Sequence, residues 1–434
     1  MRFRQDFVLP VLSMLYASSF AAPMVATPGT VKDIIITEDN TINGTSHPVK
    51  TQANLNTTGS FQISITNNMG GGKVNAYITG RNAAGSVVFL SPNGGWYYPD
   101  PHGSAAPVQI NDTVALPLGG QGSSSTFQLP GYLSAARVWI AEGELDFFTV
   151  ASNGIQLVEP SFANPKDPST NINWGFVELT YLAEGIWANL SFVDFVGLVM
   201  GMSLTLGSGE VQTRKGLSPD AIAGICSDLV AQGNSDGQPW GDLCVTDSNG
   251  TPLRIVAPNI YLGDDGSAFG DYFNSYIDQV WSKYTTEPLT INTQSDPGLV
   301  NCTVQGGNNL FCEGDNRSYA KPSAADIFGC NSGPFAIMET DNDVHKAVVP
   351  RLCAAFNRGT FLDGGGNVQP KLPATSYYQA GPNNQYSRII HKYEPDGQGY
   401  AFSYDDVNPD GENQAGLVAG PDPRLLHIVL GGIP

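Results

Sequence analysis

Positive charge is scarce in this 434-residue chain. Twenty-one lysines and arginines face 40 aspartates and glutamates, giving a formal charge of −19, and charged residues of all kinds make up only 14%. Phosphate recognition needs clustered cations, so this balance argues against a nucleic-acid or anionic-membrane partner. Cysteine is missing from the first 225 residues, and the six present contain no C-x-x-C pair. The five histidines (His47, His102, His345, His391, His427) are scattered, and no metal site is expected from these spacings. Zinc-protease H-E-x-x-H runs, glycine-rich phosphate loops and dinucleotide fingerprints are also absent, so no cofactor is implied. Beyond the N-terminus no long apolar run occurs. The most apolar stretch, Phe192–Leu206, holds Asp194 and several glycines and reads as one or two buried strands. Neither a lipid-anchor tail nor the repeats or Ser/Thr-rich stalks of a structural wall protein are present.

What is abundant points to β-structure. Fifty glycines and thirty prolines indicate many turns, and the length allows two domains or one with a large insertion. At the N-terminus Arg2 and Arg4 precede an apolar run, and Ser19-Phe20-Ala21 resembles a cleavage site, so residues 1–21 read as a secretory signal. An even cysteine count in a secreted chain suggests three disulfides, for which fifteen pairings exist. Sequential pairing is the expectation: Cys226–Cys244, Cys302–Cys312 and Cys330–Cys353. Glycosylation sequons at Asn43, Asn56, Asn111, Asn249, Asn301 and Asn316 fit the same compartment. A seventh, Asn189, falls inside the hairpin discussed below and is not expected to carry a glycan.

From Phe61 the apolar residues alternate, first as a hairpin (Phe61, Ile63, Ile65, then Val74, Ala76, Ile78) and then at residues 86–90, 127–129, 136–141 and 147–150. Antiparallel strands at this spacing argue a sandwich or barrel. The period changes after Gly216. Ser218-Pro219-Asp220 starts a helix over 221–232, and an aromatic stripe predicts another over 269–284. A third, over 344–356, should kink or restart at Pro350. Strands then return at 388–391 and 400–404. The expected division is a β domain from residues 22–214 with 373–434, and a disulfide-bearing mixed α/β domain over 215–372.

The stretch carrying chemistry is INWGFVELTYLAEGIWANLSFVD, residues 172–194, an aromatic-rich hairpin with Glu178 and Asp194 near its ends. Trp174, Phe176, Glu178 and Thr180 share one face of the first strand. In the second strand Leu190, Phe192 and Asp194 alternate with Ser191 and Val193. A loop over Glu184-Gly185-Ile186 makes Asp194 the diagonal neighbour of Glu178, roughly 7–8 Å away. A loop over Ala183-Glu184-Gly185 instead sets Asp194 level with Trp174, roughly 13 Å along the strand. The first spacing suits inverting glycosidases, whose carboxyl groups stand about 6.5–9.5 Å apart to admit a water.

The run WGFVELTY…GIWANLSFVDF resembles the catalytic segment of glycoside hydrolase family 64, the thaumatin-like endo-β-1,3-glucanases. FQISITNNMGGGKVNAYITG, VEPSFANPKDP, CAAFNRGTF and YSRIIHKYEPDGQGYAFSYDDV resemble further family segments in the family's order. The resemblance implies a mainly β protein, with a thaumatin-like barrel or sandwich and a mixed α/β insertion framing a wide groove. It implies Glu178 as general acid and Asp194 as general base in inverting hydrolysis of β-1,3-glucan to short oligosaccharides, often near a pentasaccharide. Thr180, Trp187 and Ser191 fall at sugar-contact positions, Leu182 replaces a usual polar contact, and Asp405 and Asp406 match cleft acids expected to orient hydroxyls or keep Glu178 protonated. A secreted monomer acting on a polysaccharide is the expectation. The reading from another class is a thaumatin-like β-glucan-binding or defence protein without catalysis.

Overall fold

The computed structural model describes residues 61–433 apart from Gly71, residues 111–113, Pro165, Ser248 and Asn413. The expected signal segment and the sequons at Asn43, Asn56 and Asn111 lie outside the described residues. Alternation of apolar side chains builds two large sheets. In the larger one the strands run, side by side, Leu417–Gly420, Gly185–Leu190, Trp174–Leu182, Leu133–Glu142, Val74–Asn82, Val87–Leu90 and Trp96–Tyr97, with Leu116–Pro117 attached to Val74–Asn82. The other has the order Val211–Arg214, Met200–Leu206, Pro423–Leu430, Gln62–Asn67 and Ser123–Gln128. Its one parallel pair joins Gln62–Asn67 to Pro423–Leu430, with Ile63 beside Leu426 and Ile65 beside Ile428.

One face of the larger sheet, carrying Ala76, Ile78, Val138, Ile140, Val177 and Leu179, shares a buried core with Ile63, Ile65, Leu426 and Ile428. Side chains alternate, so the residues between them point to the far face, where Tyr77, Trp139, Trp174 and Phe176 form a second, aromatic cluster. Leu133 and Ala136 both bury in the first core although their parity differs. A register shift on both sides of this segment accounts for it: Ala135, at φ 45°, is an extra residue that lets the strand change phase.

The helices depart from the sequence expectations in informative ways. The first, Ala221–Asp236, runs one turn longer than its spacing predicts. The aromatic stripe becomes helical only over Asn274–Thr286, because Phe269 takes a left-handed φ of 56°; Tyr276, Val280, Trp281 and Tyr284 are buried core. Asp343–Arg358 continues through Pro350 instead of restarting. A proline inside a helix costs about 3 kcal/mol. Burial of Val348, Val349, Leu352 and Phe356, about 1.5–3 kcal/mol each, outweighs it. Residues 388–391 are not a strand but part of the helix Gln385–Tyr393, capped by Asn384, whose side chain accepts the Ser387 N–H at 3.2 Å. Residues 400–404 form turns, with only a bridge from Tyr400 to Ser191, because the Asp405 carboxylate takes the Ala401 N–H at 2.9 Å and closes the chain on itself.

The disulfides join Cys226 to Cys244, Cys302 to Cys312 and Cys330 to Cys353. Among the described residues no helix is long and apolar enough to cross a membrane.

Candidate active site

Neither expected hairpin register is the one that forms. Leu182 pairs with Gly185 across the two-residue turn Ala183-Glu184, which places Glu178 opposite Asn189 and Thr180 opposite Trp187. Gly185 has φ 149°, and a Cβ there would meet the Gly420 carbonyl oxygen at 2.5 Å, so only glycine permits this tight turn beside a third strand. Glu178 also pairs with Arg137 on its other side. Arg137, Glu178 and Asn189 therefore form one row across three strands, with Thr180 and Trp187 on the same face one step along.

Arg137 is the residue the sequence reading missed. Its guanidinium lies over Phe176, 4.5 Å from the ring centroid, and over Trp139 at 5.4 Å. It donates to Glu178 Oε1 from Nε at 3.3 Å and Nη2 at 3.2 Å, and to the buried Glu159 from Nη1. The signal was a lone cation in the apolar strand LSAARVWIAE, since a buried cation demands carboxylate partners. Glu159 holds Arg137 in place; burial raises its proton affinity and Arg137 opposes this. Arg137→Met should leave Glu159 and Glu178 without a counter-ion and cost about 3–5 kcal/mol of stability. A denaturant titration at neutral pH checks this.

Asp194 does not reach Glu178 through the hairpin. The strand ends at Leu190, and the chain turns away: the Phe192 N–H bonds the Tyr400 carbonyl at 2.7 Å and the Phe192 carbonyl accepts the Tyr386 hydroxyl at 2.6 Å. The Asp194 carbonyl takes the Ala257 N–H at 2.8 Å, and Phe195 pairs with Val256. Phe195 then packs on the aromatic face, 4.8 Å from Trp174 and 5.8 Å from Phe176, so its neighbour Asp194 arrives at the face that carries Glu178. Burial, and next the charge of Glu178, raise the proton affinity of Asp194, with Arg137 acting in the opposite sense. Two carboxylates thus bind one guanidinium, and Asp194 lies within range of its charge. Gly197 makes the approach possible: a Cβ there would lie 1.9 Å from the Trp174 carbonyl oxygen and 2.9 Å from the Phe195 ring. Gly197→Ala should cost about 1–3 kcal/mol and displace Asp194, read as a lower denaturation midpoint together with lost turnover.

Thr180 is buried at 1% exposure with Oγ1 unpartnered, and Trp187 and Ser191 are part-exposed. Asp405 differs from expectation. It is fully buried, its Oδ1 held by Arg358 at 3.0 Å and its Oδ2 by His391 Nε2 and the Ala401 N–H, both at 2.9 Å, so no sugar reaches it. Burial alone would raise it, but His391 and Arg358 hold it low; His391, between Asp405 and Glu394, is pushed up to about 10. This knot anchors the loop bearing Tyr400, whose hydroxyl feels the charges of Asp406, Asp405 and Glu178. Asp406 is part-exposed and raised to about 6 by burial, against the pull of Arg351. Asn249, Asn301 and Asn316 are exposed. The run Gly233-Asn234-Ser235-Asp236-Gly237 has nucleophile-elbow spacing, yet it is a helix C-terminus, with Asp236 bonded to the Trp240 indole at 3.0 Å. Among the described residues no group of three or more His, Cys, Asp or Glu could hold a metal ion.

The profile of the β-1,3-glucanase family, glycoside hydrolase family 64, matches residues 59–430. A glucan endo-1,3-β-glucosidase of Cellulosimicrobium cellulans is 28% identical over 374 residues, which are 85% of this chain; the chain spans 64% of that relative's length. A laminaripentaose-producing β-1,3-glucanase solved with laminaritetraose superposes with a TM-score of 0.74 at 28% identity, covering 86% of this chain and 98% of that one. A β-1,3-glucanase domain from Clostridium beijerinckii shares the fold, with a TM-score of 0.65 at 22% identity over 89% and 100% of the respective chains. The chain belongs to glycoside hydrolase family 64.

Proposed function

We propose that this protein is a secreted endo-acting hydrolase of β-1,3-glucan that inverts the anomeric carbon, with Glu178 as general acid and Asp194 as general base. The observation that carries the reading is that two carboxyl groups from separate elements meet around Arg137 on one sheet face, each within reach of the other's charge. Burial, and next the charge of Glu178, keep a proton on Asp194 to higher pH than on an isolated carboxylate. Arg137 engages Glu178 through Oε1 only, which leaves Oε2 for the transferable proton. Glu178 gives that proton to the glycosidic oxygen as the bond to the anomeric carbon breaks. Asp194 takes a proton from the water that attacks the opposite face, and its raised proton affinity makes it a stronger base.

Linear β-1,3-glucan as substrate, and short oligosaccharides as products, are supported by similarity to the laminaripentaose-producing enzyme. The signal-like N-terminus and three disulfides support secretion. Strands from both sides of residues 215–372 share the two large sheets, which supports reading that segment as an insertion.

Proton NMR of the first products from linear β-1,3-glucan tests the reading. The α-anomer should appear before mutarotation. Initial β-anomer would discard inversion, and glucan binding without release of reducing ends would leave a binding protein.

A further inference from the structure

We propose that Asn189 is a substrate-contact residue: its amide stands beside Glu178 to accept a hydroxyl of the pyranose being protonated. The inference rests on the hydrolase reading above. Asn189 lies one residue before the end of the strand Gly185–Leu190, flanked by Glu178 on one side and Leu417 on the other, and shares the face of Glu178, Thr180 and Trp187. Directly paired residues in a sheet have Cβ atoms about 4.5–5.5 Å apart, within reach of a sugar held against Glu178.

Its Oδ1 is buried and has no hydrogen-bond partner, and Thr180 Oγ1, diagonally across the same strand pair, is in the same state. A buried carbonyl left unpaired is destabilising, and two such atoms flanking one carboxyl group need a reason. A hydroxyl-rich ligand supplies the donors both atoms lack. The sequence presents Asn189 as a sequon, Asn189-Leu190-Ser191. A glycan here would occupy the space over Glu178, so the chemistry of the position fits a ligand contact better than a modification.

The test pairs activity with stability in Asn189→Ala. A substrate contact predicts kcat/KM on linear β-1,3-glucan at least tenfold lower, while the melting temperature stays level or rises because an unpaired buried carbonyl is removed. A merely structural residue would lower both together, and that result overturns the proposal. Asn189→Asp is the second variant. The charged groups facing this position are Glu178 on the paired strand and Arg137 beyond it, and Asp194 interacts with both. A new carboxylate there should raise the proton affinity of Glu178 and move the alkaline limb of the activity profile to higher pH. An unmoved limb counts against Asn189 facing Glu178. A parent protein that neither binds laminari-oligosaccharide in calorimetry nor cleaves glucan overturns the hydrolase reading and this inference together. An active parent with an Asn189→Ala variant of equal kcat/KM overturns this inference alone.

Discussion

Glu178→Gln is expected to cut reducing-end release from linear β-1,3-glucan by about 10²–10⁴-fold, the usual contribution of a positioned general acid. The fold should persist, because the amide oxygen can still accept from Arg137 where Oε1 does now. The loss should depend on the leaving group. A dinitrophenyl laminarioside departs without protonation, so the variant should turn it over at close to the parent rate. On that substrate the pH profile supplies a second readout. The acid limb, which reports Asp194, should stay in place, because a general acid is still protonated and neutral where the base titrates. The alkaline limb, which reports the acid, should disappear. Parent-like release from glucan by this variant would remove Glu178 as acid, and a persisting alkaline limb on the activated substrate would assign that limb to another group.

Asp194→Asn should be equally damaging, about 10²–10⁴-fold, but with no relief from a better leaving group, because water is then unactivated. A smaller side chain at this position with azide present should restore bond cleavage: azide attacks the anomeric carbon, Glu178 protonates the departing oxygen, and an α-glycosyl azide results. The stability effect runs the other way from activity. Asp194 binds its proton more tightly folded than unfolded, so its contribution is fully present below its unfolded pKa, near 4, and is lost as pH rises through the higher folded value. Asparagine carries no such penalty. The variant should therefore be the more stable protein at neutral pH, with the advantage vanishing near pH 3. A lower melting temperature at pH 7 would contradict the electrostatic account, and near-parent turnover would remove Asp194 as base.

The strands of the larger sheet were legible because alternation is a local signal. Ala76 and Ile78, Val138 and Ile140, Val177 and Leu179 each declare a buried face within a few residues. The helix Gln385–Tyr393 was not, because Ile389 and Ile390 are adjacent and fit either period; its cap at Asn384 and its packing decide the outcome. Pro350 misled for the opposite reason, since a strong local rule was overridden by core contacts further along the chain.

The sequence by itself determined the residue types of the site, the face that Glu178 and Thr180 share, and the family to which the chain belongs; the register that forms brought Trp187 to that face. Only the tertiary structure decided how the acids meet. The hairpin register that forms does not bring Asp194 to Glu178; Phe195 packing edge-on against Trp174 and Phe176 and the bonds from Tyr386, Tyr400 and Ala257 do so. It likewise bound Arg137 to two carboxylates within range of Asp194 and withdrew Asp405 into a buried ion pair. The physical reason is one of range: side-chain direction along a strand follows from neighbouring backbone geometry, whereas charge pairing and burial depend on residues far apart in the chain.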